Sequence, residues 1–216
     1  MSKYSYAAPP ADPISMEYTT PFSCPIVIAK MRWDKKEEYL NSLQFADSED
    51  YGRKQCGRTG NLLKLPQSLD LANQLIHSFN CLNESFLGYD FSTVTPYITS
   101  MWANKYTKGQ SIHLHMHPNS WYSGIYYPHG TGQAAVIFES PHFAESSMVN
   151  VPRKDFKEWN SDTWAQVYTE ECAIFFPSYL KHLSAPVIED KTRYSISFNI
   201  FVKGLLSKQT ETLLSI

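Results

Sequence analysis

The sequence predicts a mainly β protein with two helices ahead of its strands. Three observations carry this. From Tyr97 onward apolar residues recur with period two in short runs, at 97–104, 111–116, 122–127, 134–138, 172–176 and 193–201. Clusters of turn formers separate the runs: KGQ, HPNS, PHGTG and PSYLKH. The chain also carries 14 Tyr, 12 Phe and 5 Trp, residue types that fit a pleated, half-buried surface. Many short strands with turns at this spacing build a sandwich or a barrel.

The elements follow in order. Residues 1–20 are polar and Pro-rich and read as an arm with little structure of its own. Ile26 to Ile28 is a short apolar run that suits a first strand. Residues Asp34 to Gln44 suit a helix, with Asp34 as cap and Tyr39, Leu40 and Leu43 as its apolar stripe. Residues 46–60 are polar and read as a loop. Ser68 then stands at a capping position before Leu69, Ala72, Leu75, Ile76, Phe79, Leu82 and Phe86, spaced three and four apart, and Gly88 is the expected stop. The helices precede the strands, so they are expected to pack outside one sheet. The chain reads as one domain over 1–216: an arm and helical support at 1–96, and a β core at 97–203. The long segment 140–171 between strands is expected to help shape a substrate mouth.

Composition limits the function classes. With 216 residues, 43% of them hydrophobic and 19% charged, the chain can bury a core and is not disordered. A net charge of −2 gives no global basic field, which argues against a nucleic-acid or membrane-surface partner. No window reaches 18 uninterrupted apolar residues, and MSKYSYAAPPADP lacks an apolar run of signal-peptide length. Cys24, Cys56, Cys81 and Cys172 form no CxxC, so reduced, mostly buried thiols and a cytoplasmic location are expected.

The chemistry concentrates in the histidines. Five of the seven lie between 113 and 142, and His113, His115 and His117 alternate in one run. In a strand, residues i and i+2 share a face. Two imidazoles so placed converge on one metal ion if the second lies where the strand enters its loop, which Pro118, Asn119 and Ser120 supply. A third ligand must come from another strand, and His182 in PSYLKHLSAP is the best candidate. Imidazole suits Fe, Zn, Cu and Ni alike. His129 and His142 fall on loops and read as surface residues. In RYSISFNIF, Arg193, Ser195, Ser197 and Asn199 share one face, and Tyr194, Ile196, Phe198 and Ile200 the other. If the polar face is interior, Arg193 needs an anion, and Arg with a nearby hydroxyl clamps a carboxylate. If it is exterior, Arg193 pairs with Glu189 or Asp190 in solvent.

The combination resembles the Fe(II)- and 2-oxoglutarate-dependent oxygenase superfamily in three places. Asn104-Lys-Tyr106-Thr-Lys-Gly109-Gln-Ser-Ile112-His-Leu-His115-Met-His117 is similar to the N-x-Y-x-x-G-x-x-[IL]-x-x-H-x-D run of the nucleic-acid dealkylase branch. It selects His115 and His117 as ligands and leaves His113 a bystander. Ser123-Gly-Ile125-Tyr-Tyr127 is similar to the Thr-x-Ile-Tyr-Tyr strand of the prolyl hydroxylase branch, where the last tyrosine faces the cosubstrate. HMHPNSWYSGIYY, FPSYLKHLSAP and RYSISFN together resemble a group of oxygenases from phages and marine bacteria with the pattern HxHPxSxxSGxYY, FPSxLxH, RxSxSFN. The resemblance spans residues 97–203.

The resemblance implies a double-stranded β-helix, or jelly roll. It implies Fe(II) on His115, His117 and His182, and 2-oxoglutarate with its distal carboxylate on Arg193 and Ser195, helped by Tyr106 or Tyr127. Asn104 would contact the carboxylate next to the iron, and Ile125, Phe176 or Phe198 would wall off water. The implied reaction hydroxylates an unidentified small molecule or peptidyl residue while 2-oxoglutarate is decarboxylated to succinate. The superfamily's acidic third ligand is replaced here by His117, which leaves the site one charge more positive and raises the reduction potential of its iron. Two other readings remain open. A cupin also sets HxH on a jelly-roll strand, but its following Glu is replaced by Trp121 or Tyr122, and it needs no Arg-x-Ser clamp. A non-enzymatic jelly roll with vestigial ligands would bind a partner through Trp121, Tyr122, Trp159, Trp164 and Tyr168, residues that sheet packing also explains.

Overall fold

The computed structural model describes residues 23–50, 53–130, 133–142, 148, 151–168, 171–207 and 214–216. The expected N-terminal arm and part of 140–171 lie outside them. Among the described residues, eleven strands form two antiparallel sheets: β1 (Val27–Lys30), β2 (Ala46–Asp50), β3 (Arg53–Arg58), β4 (Val94–Tyr106), β5 (Ile112–His115), β6 (Tyr122–Tyr127), β7 (Ala134–Glu139), β8 (Thr163–Val167), β9 (Cys172–Pro177), β10 (His182–Ser184) and β11 (Arg193–Gly204). The major sheet runs β1-β9-β6-β11-β4-β3-β2 and the minor sheet β5-β10-β7-β8. Two facing sheets of this kind are the jelly roll that the sequence motifs imply. No helix among the described residues is long and apolar enough to cross a membrane.

The major sheet separates two cores. On one side lies the helix α2 (Leu69–Leu82), whose Leu71, Leu75 and Phe79 pack with Met101, Tyr122, Phe175, Ile196, Phe198 and Ile200. Each such fully buried side chain contributes about 1.5–3 kcal/mol relative to exposure. On the other side, between the sheets, lie Ile125, Tyr127, Phe138, Ile174 and Phe176. The fold therefore has three layers, helix on sheet on sheet, with α2 outside the major sheet as expected.

Several elements differ from the sequence reading. The supposed loop 46–60 contains the hairpin β2–β3, which joins the sheet through Gly57 and Arg58 opposite Lys105 and Asn104. β2 is the edge of the sheet with one open side, β3 lies between it and β4, and neither strand carries an apolar alternation. Asp34 does not cap α1 (Lys36–Ser42); it takes Nε of Arg32 at 2.8 Å, and Lys35 opens the helix without a side-chain cap. Ser68 likewise makes no cap, because its hydroxyl is paired with Tyr39 Oη at 2.5 Å. Leu69 and Phe86 are exposed, and Leu71 takes the buried place expected of Leu69. Asn83–Leu87 form a π turn that ends at Gly88 in the left-handed region, φ 73°, as its position as stop requires. β8, inside the long 140–171 segment, extends the minor sheet, and three-residue β10 hides in what reads as a turn cluster.

Candidate metal centre

The strand register assembles the three histidines. β5 and β10 are antiparallel neighbours, and His115 stands directly opposite His182. Their ring centroids are 4.4 Å apart. His117 lies past the end of β5, where its backbone N–H donates to the Ser178 carbonyl at 3.1 Å, and this turns its ring back toward the pair. Its centroid is 5.2 Å from that of His115 and 5.0 Å from that of His182. One ligand nitrogen from each residue lies within 4.8 Å of the others.

The outer ring nitrogens are all committed. His115 Nδ1–H donates to the His113 carbonyl at 2.8 Å, and His182 Nδ1–H to the Leu180 carbonyl at 3.0 Å. His117 Nδ1–H donates to Asn199 Oδ1 at 2.6 Å, with Ser123 Oγ at 2.8 Å. These bonds fix one tautomer, so each Nε2 lone pair is left to face the centre. Burial is the main cause that lowers all three proton affinities: His115 titrates below its ordinary value, His117 is held down to about 4 and His182 to about 3. The neighbouring imidazoles, and for His115 and His117 also the Arg58 charge, push the same way. Neutral imidazoles at pH 7 are the form a metal requires. Three neutral nitrogens at one spot, with their outer edges anchored, fit a divalent transition ion held at about 2 Å from each nitrogen.

The anchoring residues come from the motifs but were not singled out as site residues. Asn199 lies on the polar face of β11 and also accepts from Ser123 Oγ at 2.9 Å, while its own amide donates to Ser100 Oγ at 3.2 Å. Ser123 is joined to Ser178 at 2.7 Å. The ladder between β11 and β4 slips by one residue beside Asn199, a bulge of the sort that re-aims a side chain. Membership of SFN, SGxYY and FPS in the quoted motifs is the sequence signal that marks these three residues.

A cavity of about 400 Å³ opens over the histidines, lined among others by Asn104, Tyr106, Ile125, Ser195, Trp102 and Arg58. Its size falls within the range of small-molecule sites. Asn104 Nδ2 donates to Ser195 Oγ at 3.3 Å and Ser197 Oγ at 3.4 Å. Tyr106 Oη is 3.0 Å from Ser184 Oγ. Arg193 is buried and stands behind Tyr106, its guanidinium carbon 4.5 Å from that ring. It does not pair with Glu189 or Asp190, which take Lys191 and Lys108. One terminal N–H donates to the Ala185 carbonyl at 2.6 Å, whereas the buried Nε–H has no partner. A buried cation with an unmet donor and no carboxylate among the described residues fits an absent anion. Tyr127 does not border the cavity; it is fully buried and packs on Tyr168 with centroids 4.4 Å apart.

Of the expected apolar wall, Ile125 lines the cavity and Phe176 sits against His182 at 4.7 Å between centroids. Phe198 is a correction: it lies on the other face of β11, in the core under α2. Of the 140–171 segment, none of the described residues lines the cavity, and its residues 143–147, 149–150 and 169–170 lie outside the described ones. Trp121 and Tyr122 pack around Phe79, as sheet packing predicts. His113 lines the outer cavity, and His129 and His142 lie away from it. Arg58 was not found from sequence, because it lies in the hairpin read as a loop.

Residues 100–199 match the family described as "Putative 2OG-Fe(II) oxygenase". Solved structures show the same fold. A 2OG-Fe(II) oxygenase family oxidoreductase from Burkholderia pseudomallei aligns with TM-score 0.56 at 12% identity, over 77% of this chain and 76% of that one. The non-heme alpha-ketoglutarate-dependent epimerase SnoN from nogalamycin biosynthesis aligns with TM-score 0.60 at 9% identity, over 87% and 84%. HygX from Streptomyces hygroscopicus, solved with nickel, 2-oxoglutarate and hygromycin B, aligns with TM-score 0.55 at 11% identity, over 82% and 83%. At such identities the likeness is one of fold. No curated protein matches the chain at a significant level.

Proposed function

We propose that this protein, whose residues 100–199 match a 2OG-Fe(II) oxygenase family, is an Fe(II)- and 2-oxoglutarate-dependent dioxygenase, an oxidoreductase that hydroxylates a small molecule or a peptidyl residue. The observation that carries the proposal is the convergence of three neutral imidazoles whose outer nitrogens are all tied back to protein acceptors. Bound iron, with 2-oxoglutarate and O₂, supplies the oxidising power, and 2-oxoglutarate leaves as succinate and CO₂. Metal- and 2-oxoglutarate-bound relatives of this fold, such as HygX with nickel, support the assignment of cofactors.

The chain's own residues bind, orient and exclude water. His115, His117 and His182 hold the metal. Arg193 receives the distal carboxylate with Ser195 and Tyr106, and its unmet Nε–H supports that role. Asn104, fixed by the two serine hydroxyls, presents its amide to the carboxylate nearer the metal. Tyr127 is fully buried and feels the Arg193 charge, and its ring keeps water from that region. Ile125 and Phe176 keep water from the metal. Four free cysteines support a reducing, cytoplasmic setting.

The test is anaerobic titration with Fe(II) and 2-oxoglutarate, following the metal-to-ligand charge-transfer band, with succinate release measured after O₂ is admitted. Wild type is expected to show the band, His117→Ala to lose it, and Arg193→Ala to bind 2-oxoglutarate at least tenfold more weakly. A wild-type protein that binds metal without a band or succinate overturns the proposal in favour of a cupin-type enzyme. An Arg193→Ala protein of unchanged affinity overturns the clamp.

A further inference from the structure

Arg58 lines the cavity, whereas Arg193 lies behind Tyr106 outside its lining, and neither the metal nor the proposed cosubstrate clamp uses Arg58. Arg58 ends β3 at the cavity mouth, with its guanidinium carbon 4.7 Å from the Trp102 ring centroid. Trp102 in turn contacts the metal-ligand ring of His117, with centroids 5.5 Å apart. The guanidinium is thus supported by an aromatic ring one residue removed from the metal centre. Stacking on a ring leaves the edge N–H groups of an arginine free to grip an oxyanion in parallel. Among the described residues no carboxylate pairs with Arg58, and no acidic side chain lines the cavity.

The charge balance points the same way. Three neutral imidazoles leave a divalent ion its full charge, and Arg193 and Arg58 add two more. A bound 2-oxoglutarate dianion removes two. With no acidic side chain on the metal or in the lining, the loaded cavity keeps an excess of positive charge, and part of it sits on the exposed Arg58 guanidinium where an incoming anion can reach it. Such an excess attracts and orients an anion.

Building on the proposed function, we propose that Arg58, held against Trp102, anchors an anionic group, a carboxylate or a phosphate, on the primary substrate and so aims the rest of that molecule at the metal. Arg58 is then a specificity-determining residue, and the substrate class is small molecules or side chains that bear an oxyanion.

The test uses methyl phosphate and acetate as probes, added to protein loaded with Zn(II) and 2-oxoglutarate so that the metal and Arg193 are already engaged. The readouts are the NMR shifts of the Arg58 Nε–H and the Trp102 indole N–H, with 2-oxoglutarate affinity measured in parallel by calorimetry. Wild type is expected to show saturable shifts of both signals in the millimolar range. Arg58→Gln should weaken probe binding at least tenfold with its 2-oxoglutarate affinity and melting temperature unchanged, and Arg58→Lys, which keeps charge without the fork, should fall between. The stronger of the two probes identifies the oxyanion. Unchanged probe binding in Arg58→Gln overturns the inference. So does an equal loss of 2-oxoglutarate affinity, which would make Arg58 part of the cosubstrate clamp. If wild type binds no 2-oxoglutarate but still binds a probe at Arg58, the oxygenase reading fails and the anion site stands.

Discussion

The two faces of β11 solve opposite problems with one alternating sequence. Ile196, Phe198 and Ile200 turn to α2 and are buried by apolar neighbours that ask only for shape. Arg193, Ser195, Ser197 and Asn199 turn to the space between the sheets, where every polar atom needs a named partner or an absent ligand. Stability comes mainly from the first face, because apolar burial is favourable without directional partners. Chemistry comes from the second, because hydrogen bonds can fix a tautomer or hold a guanidinium in place. The pairing of β11 with β4 and β6 locks both faces in register, so the core holds the site at a set position.

The largest expected effect breaks the apolar face alone. Phe198 packs on Phe175 with centroids 5.5 Å apart and fills the space above Gly124, where an added Cβ would lie 2.2 Å from its ring. Phe198→Ala should cost about 3–5 kcal/mol in denaturant unfolding. The Zn(II) affinity of the folded protein should stay at the wild-type value, because Phe198 touches no ligand. A parallel fall in affinity would show that the two faces are not separable.

A smaller effect breaks the polar face alone. Asn199→Ala removes the acceptor of His117 Nδ1–H and leaves Ser123 to hold the ring by itself. Metal affinity should fall about 10–100-fold, the usual cost of losing such a support, as read by competition with a chromogenic chelator. Thermal stability of the metal-free protein should change little by comparison. A metal affinity equal to wild type would assign Asn199 to packing.

These contrasts also explain what the sequence could disclose. β11 alternates polar and apolar residues because one face meets the site and the other the core under α2, and β9 reads as a continuous apolar run because both its faces are buried, so the β core is legible. The HxH pair and His182 are legible because metal chemistry restricts residue type, and the register then sets His115 against His182. Alternation sorts residues into two faces without telling which cavity a face meets, which is why Phe198, one of three candidates for the apolar wall, lies instead in the core under α2. The β2–β3 hairpin was missed because an edge pairs through its backbone, and charged side chains there conceal the strand pattern. Arg58 was hidden with it, since only the fold sets it over Trp102.

The smallest effect sharpens the comparison at adjacent positions. Ser197 neighbours Phe198 in sequence but faces the cavity, where its hydroxyl accepts from Asn104 Nδ2 at 3.4 Å. That amide also donates to Ser195 Oγ at 3.3 Å, so loss of the Ser197 hydroxyl leaves it with a partner. Ser197→Ala should therefore cost no more than about 1 kcal/mol in unfolding, the net value of one ordinary hydrogen bond. It should lower 2-oxoglutarate affinity slightly, by loosening Asn104. Calorimetric titration and denaturant melts on the same sample separate the two effects. A stability loss as large as that of Phe198→Ala would mean that the polar network, and not the core beneath α2, holds β11 in the sheet.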